Sequence, residues 1–350
     1  MNSTDATAKA ATAQTYRTAK DFAHRDLGAL GNLRRFLYQN PAISPAIVLL
    51  LAGLVFGLTN ERFFRLSNFS LIFQQVSIVG TLAIAQTLII LTAGIDLSIG
   101  AVMIFSTVAM AKAHLILGWS GPACLAVGLL TGIVAGGLNG LLITKIKLPP
   151  FIVTLGTLSI FYALSILTTD GLTTRGTALP PALTWTGSYF RLFDVNMSYG
   201  IPLMLGLYAL VAYMLKNTAF GYHIYAVGND VEASRLVGLR PERVLLAVYM
   251  MAGAITVFAA WIFMGRINGV SPNGAVDANL DSITAVVIGG TSLFGGRGLV
   301  WGTLLGALIV GVFRNGLSLA GLDVLYQTLA VGILIIVAVA LDQWIRKASA

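Results

Sequence analysis

The chain has 350 residues, of which 57% are hydrophobic and 10% charged, with a net charge of +8. A soluble domain carries about 25% charged residues, so this composition cannot cover a water-facing surface, and lipid must be the solvent for most of the chain. The excess positive charge does not point to nucleic acid, because the cations gather in the segments between apolar runs, where membrane orientation calls for them.

Residues 1–43 read as a polar N-terminal tail, expected in the cytoplasm. The tail lacks the short basic start and hydrophobic core of a signal peptide, so the first span is expected to be an uncleaved anchor. Arg34 to Tyr38 reads as an interfacial stretch. Residues 44–350 form the transmembrane domain, long enough for about ten spans. Spans 1 to 5 are predicted over 46–58, 71–93, 97–113, 121–143 and 151–168, with a break at Gly94-Ile-Asp-Leu-Ser between the second and third. The segment 169–198 is the longest polar stretch on the opposite side, with Trp185, Tyr189 and Phe190 placed to lie along the interface. Spans 6 to 10 are predicted over 199–215, 244–264, 280–294, 299–312 and 324–345. Spans 1 and 8 are short, and eight crossings is the count if those two fail to pass through.

Orientation follows from Lys and Arg. Six lie in the tail, two at 144–150, four at 216–243, one at Arg297 and two at the C-terminus, making 15 of the 22. Both termini are therefore expected in the cytoplasm, which requires an even number of spans. Gly128, Gly132, Gly136 and Gly140 recur every four residues in span 4, as Gly298, Gly302 and Gly306 do around span 9. Small residues at that spacing let helix backbones approach closely in lipid. Spans 4 and 9 would hold equivalent places in two inverted halves of five spans.

The longest charged segment between apolar spans is Asn217 to Arg243, a cytoplasmic loop over 216–243. Its centre predicts a short amphipathic helix capped by Asp230, with Glu232 and Arg235 three apart and Val231, Ala233, Leu236 and Val237 as apolar positions. Gly238 stops the helix and Pro241 opens the next one. Such a loop is a surface offered to another protein.

Asp96, in LTAGIDLSIGA, is an acid in an apolar region. Two readings stay open: Asp96 or Ser98 caps span 3 at a tight turn, or the break exposes helix ends along a substrate path. Arg314 near the end of span 9 reads as snorkelling. The run GGTSLFGGRG lacks the Lys-Ser or Lys-Thr of a phosphate loop and reads as a tight turn. His24, His114 and His223 fit no metal spacing, and lone Cys124 supports neither a disulfide framework nor a thiol metal site. No catalytic arrangement is present in the sequence.

Four ordered motifs, TAGIDLSIGAVM at 92–103, LPPFIVTLGTLSI at 148–160, YAVGNDVEASRLVGL at 225–239 and ITAVVIGGTSLFGGRG at 283–298, resemble the permease subunit of ribose-type carbohydrate ABC importers. The similarity covers about residues 45–345. It implies an inner-membrane protein of about ten helices that pairs with a second permease copy or a related permease, and carries ribose, xylose, arabinose, galactose, fructose or a related sugar. The resemblance also implies a periplasmic sugar-binding protein outside and a cytoplasmic ATPase with two fused nucleotide-binding modules inside. ATP and Mg would be used by that partner, with no cofactor on this chain. By similarity, Asp230, Glu232, Ala233, Ser234, Arg235, Leu236 and Gly238 belong to the coupling helix. A neutral sugar needs hydroxyl and amide partners, so Gln74, Gln75, Gln86, Asn139 and Thr154, with Asp96 and Ser98, are the candidates for the path or gate. The rival reading is a secondary sugar transporter driven by an ion gradient, with Asp96 as the coupling acid.

Overall fold

Glycine and proline set most helix boundaries in the computed structural model, which describes residues 42–192, 195–274 and 277–346. Most of the proposed tail, including Arg34 to Tyr38, lies outside the described residues. Residues Pro41–Asp342 form one compact unit. In chain order, α1 is Ile43–Thr59, α2 Leu66–Leu91 and α3 Ile99–Leu117, closed by Gly118 in the left-handed region at φ +64°. α4 is Gly121–Lys145, with Pro122 in its first turn, and α5 is Pro150–Thr169, opened by its own proline.

After α5, a two-residue strand β1 (Thr174–Arg175) precedes short helical turns and a hairpin of β2 (Tyr189–Leu192) with β3 (Val195–Ser198). α6 is Gly200–Asn217, α7 Ala219–Asn229, α8 Val231–Leu236 and α9 Pro241–Ile267. β4 (Gly269–Val270) then pairs antiparallel with β1. α10 is Ala278–Ile288, α11 Val300–Leu319 and α12 Val324–Arg346.

Among the described residues seven helices, α2 to α6 with α9 and α11, are long and apolar enough to cross a membrane. α1 and α10 are shorter apolar helices, as is Val324–Leu334 within α12. The sequence suggested an eighth span over 280–294, but α10 stops at Ile288, because Gly289 and Gly290 turn the chain, the latter at φ +85°. Its 11 residues rise about 16 Å, half of a bilayer core of about 30 Å.

The small-residue stripes meet other helices backbone to backbone. A Cβ on Gly132 would collide with the Gly253 carbonyl of α9, one on Gly253 with the Gly132 carbonyl, and one on Gly136 with the Tyr249 carbonyl. Gly140 lies against Leu246 of α9, and Gly128 against Met110 of α3. At the second stripe, Gly302 faces the Gly289 carbonyl and Gly306 the Ala285 carbonyl, which draws α10 onto α11. Gly253→Val is expected to force α4 from α9 and destabilise the folded protein by about 3 kcal/mol or more, the top of the overpacking range. Gly53→Val, at a position with open space around it, is the neutral control. Thermal denaturation in detergent checks both.

α2 lies at the centre, packed by α6, α9, α10 and α11. Its most apolar stretch is 83% buried, against 28% for α5. Polar side chains reinforce the contacts: Asn68 and Asn315 exchange two amide hydrogen bonds of 2.9 Å, Thr87 meets Thr303 at 2.8 Å, and the Tyr208 hydroxyl donates to the Gly80 carbonyl at 3.0 Å. A hydrogen bond across helices in lipid removes a polar group that has no water to turn to.

Candidate functional site

The first half of the site is the break between α2 and α3. α2 ends with Ala93 in the left-handed region at φ +60°, a conformation that costs a residue with a Cβ roughly 1–2 kcal/mol. Asp96 then turns its carboxylate back on its own loop, where one oxygen accepts from the Ser98 amide at 2.7 Å and the Ser98 hydroxyl at 2.6 Å. Asn139 of α4 donates to the Ser98 hydroxyl at 2.9 Å, and Thr154 of α5 donates to the Ile95 carbonyl at 3.2 Å. The Tyr249 hydroxyl of α9 borders Gly94 and has no hydrogen-bond partner among the described residues. Asp96, Ser98, Asn139 and Thr154, far apart in sequence, thus converge on one turn.

One residue of α10 completes this turn. Asn279 donates to the Leu97 carbonyl and accepts from the Gly100 amide, so one side chain joins the two sides of the start of α3. Gly100 leaves the space that this approach needs. Asp281, two residues on, accepts from the Arg314 guanidinium at 2.8 Å, and Asp277 stands 3.8 Å from it. The snorkelling reading of Arg314 is thereby corrected. Snorkelling serves a cation with only lipid beside it, whereas Arg314 has a carboxylate on the neighbouring helix. Neither pairing is visible in the linear chain, since Leu97 and Gly100 lie about 180 residues before Asn279 and Arg314 lies 33 after Asp281.

The remaining path candidates are spread along α2. Gln86 is fully buried and neither of its side-chain polar atoms has a partner among the described residues. The Gln75 side-chain oxygen is likewise unpaired. Gln74 bonds Ser70 at 3.1 Å and borders a small cleft with Ser77, Thr186, Ile262 and Arg266. The structure does not bring these three to the break.

The second half is the loop between α6 and α9. It holds two helices where the sequence suggested one. Thr218 caps α7 by accepting from the Gly221 amide at 3.2 Å. Asp230 ends α7 and caps α8, accepting from the Ala233 amide at 2.9 Å. Arg235 pairs with Glu232 at 2.7 Å and also with Glu242 at the start of α9. Ser234 is buried, while Ala233, Leu236 and Val237 are exposed. Gly238, at φ +87°, turns the chain toward Pro241.

α7 connects this loop to the break. Its Gly228 presses on the Leu91 carbonyl so closely that a Cβ would collide with it. The same carbonyl accepts from the Gly296 amide at 2.9 Å, and the Tyr225 hydroxyl donates to the Gly298 carbonyl at 3.0 Å. The glycine-rich turn after α10, the end of α7 and the end of α2 therefore meet at one point, immediately before Thr92.

Among the described residues no three His, Cys, Asp or Glu side chains cluster to hold a metal. The geometry is that of helix ends, a buried polar turn and an exposed helix, and comparison with known proteins supplies the context. The family described as branched-chain amino acid transport system / permease component matches residues 68–339. The fructose import permease protein of Rhizobium meliloti is 46% identical over 94% of this chain and 92% of its own length. The chain belongs to the ribose-type import permeases. The ribose import permease protein of Bacillus subtilis is 36% identical over 88% of this permease and 94% of its own length. A D-allose transport permease of Escherichia coli is 32% identical over 84% of this chain and 89% of its own. A solved inward-facing conformation described for a metal-chelate type ABC transporter is 14% identical at a TM-score of 0.52, covering 87% of this chain and 99% of that one. At that identity the likeness speaks to the fold alone. The permease is a multi-pass protein of the bacterial inner membrane, with membrane-spanning helices in accord.

Proposed function

We propose that this chain is the translocation subunit of an ATP-driven monosaccharide importer, and that α8 transmits the power stroke of a cytoplasmic ATPase to the break at 92–98. The observation that carries this is the contact of α7 with the end of α2, at Gly228 and Leu91, beneath an exposed helix that ends in Leu236 and Val237. A push on α8 has a rigid route through α7 to the turn that holds Asp96, Ser98, Asn139 and Thr154. Small displacements at such a junction become helix motions because packed interfaces are bistable. In this reading the 216–243 loop is cytoplasmic, a periplasmic binding protein delivers the sugar to the face that bears 169–198, and a second permease completes the pathway. ATP and Mg are the partner's.

Ten segments in two inverted halves, with the short α10 as the eighth, suit the packing. α4 contacts α3 and α9, and α11 contacts α10 and α2. With α7 and α8 set aside as loop helices, these two neighbourhoods correspond under a shift of five spans.

Fructose is the first sugar to test, since the relative named for it shares 46% identity against 36% for the Bacillus subtilis ribose permease. In proteoliposomes the complete assembly is expected to take up labelled fructose only when binding protein, ATPase and ATP are all supplied. Uptake by this chain alone, driven by an ion gradient, would replace the proposal with secondary transport.

A further inference from the structure

The path candidates read from the sequence are half-buried or buried within the protomer. A different set of polar groups opens outward, on the segment after α9. β4 pairs with β1, beyond the end of α5, so Val270 stands near the membrane end at which α3 and α5 both finish. From there the chain turns inward. Ser271 accepts from Thr173 at 3.4 Å, and the Asn273 side-chain oxygen accepts from the Tyr162 hydroxyl at 3.1 Å. Tyr162 precedes the end of α5 by seven residues, about 10 Å along the helix. Further on, Asn279 reaches Gly100, 17 residues from the end of α3, or about 25 Å below it.

The turn at Asn273, outside any helix, thus lies alongside α5 about 10 Å short of its end. Beyond it, α10 is held by Asn279 at the break and by Asp281 on Arg314. Non-helical backbone at membrane depth occurs only where it is buried in protein or lines a water-filled cavity, since lipid offers its polar groups no partner. Here Asn273 is exposed and Tyr162 is 45% exposed. That surface is therefore not one that faces lipid.

We propose that Tyr162 and Asn273 line the aqueous route and contact the cargo, a neutral polyhydroxylated solute. The hydrogen bond between them uses the amide oxygen of Asn273, whose two N–H donors meet no acceptor among the described residues, while the Tyr162 oxygen remains an acceptor. The exposed ring offers a flat face to the C–H side of a sugar. Neither residue carries a formal charge, which suits a neutral solute. The assignment rests on the importer reading for its cargo, though the water-facing character of the surface does not.

The test introduces Tyr162→Cys and Asn273→Cys into the assembled importer in proteoliposomes. Cys124, the natural cysteine, is buried and gives little background. A charged, membrane-impermeant thiol reagent should label both positions faster than a Leu130→Cys control on an exposed apolar surface of α4. Fructose or ribose should slow that labelling, and labelling should stop uptake. Tyr162→Phe and Asn273→Ala, which keep or shrink the side chain, should raise the KM for sugar about tenfold, the scale of one or two lost hydrogen bonds. ATP hydrolysis stimulated by the binding protein should be retained. Labelling no faster than at the Leu130→Cys control, or labelling that leaves uptake intact, overturns the proposal. An unmodified complex that transports neither sugar counts against the importer reading instead, and reagent access still decides whether this face meets water.

Discussion

Leu236→Asp together with Val237→Asp is expected to abolish ATP-driven uptake while the permease remains in the membrane at its normal level. These side chains are 89% and 77% exposed, so neither contributes to the packing of the protomer and their loss should leave its stability unchanged. Covered by a partner, each would supply about 1.5–3 kcal/mol. Losing both weakens the ATPase contact by roughly a hundredfold or more, and two carboxylates in an apolar cleft add to that. Co-purification of the ATPase and sugar uptake are the two measurements. If both persist in the double variant, α8 is not the coupling surface. The Glu232, Arg235 and Glu242 ion pairs are exposed, and pairs of that kind add little to stability. Their place in the proposal is to fix the direction of α8 against the start of α9.

Asp281→Asn should have the second large effect, and through stability. It leaves the Arg314 guanidinium, 20% exposed in its side chain, without its 2.8 Å carboxylate. Removing one partner of a buried pair typically costs 3–5 kcal/mol, because the charge that remains is desolvated and unpaired. Asp277 at 3.8 Å offers partial compensation, so a loss of about 3 kcal/mol is expected, near the lower end of that range. Thermal denaturation in detergent checks this. Asp281→Leu with Arg314→Leu should recover most of the loss, since no charge is then stranded. A single variant as stable as the parent would mean that Arg314 reaches water without Asp281.

The helix ends were legible in the sequence wherever a boundary has a local cause. Pro150, Pro241 and Gly238 stop or start helices by their own backbone chemistry, and Asp230 caps α8 within three residues, whereas span 3 was drawn to 113, short of the Gly118 stop. The break at Asp96 was equally readable, as an acid with glycines on either side. The partners that complete the break were not. Asn279 reads as an ordinary residue at the head of an apolar run, and only the folded chain sets it between Leu97 and Gly100. Arg314 was misread for the same reason, as hydropathy gives the depth of a cation but not the carboxylate beside it. α7 was missed because its glycines and aromatic residues obscure a helical pattern that packing against α2 and the glycine-rich turn supplies. α10 was drawn too long because Ser-Leu-Phe after Gly290 continues an apolar run that the backbone has already left.

The burial of α2 bears on how the permease is made. This helix carries Gln74, Gln75, Thr81, Gln86 and Thr87, yet it is enclosed by α6, α9, α10 and α11, which are all synthesised after it. When α2 leaves the ribosome, none of those helices exists to shelter its amides and hydroxyls from lipid. The growing chain must therefore keep α2 beside the insertion machinery, or bear its polar side chains in the bilayer, until α9 and α11 emerge. Biogenesis of the permease is thus a delayed enclosure of its second helix, with its last third completing the membrane interior of its first.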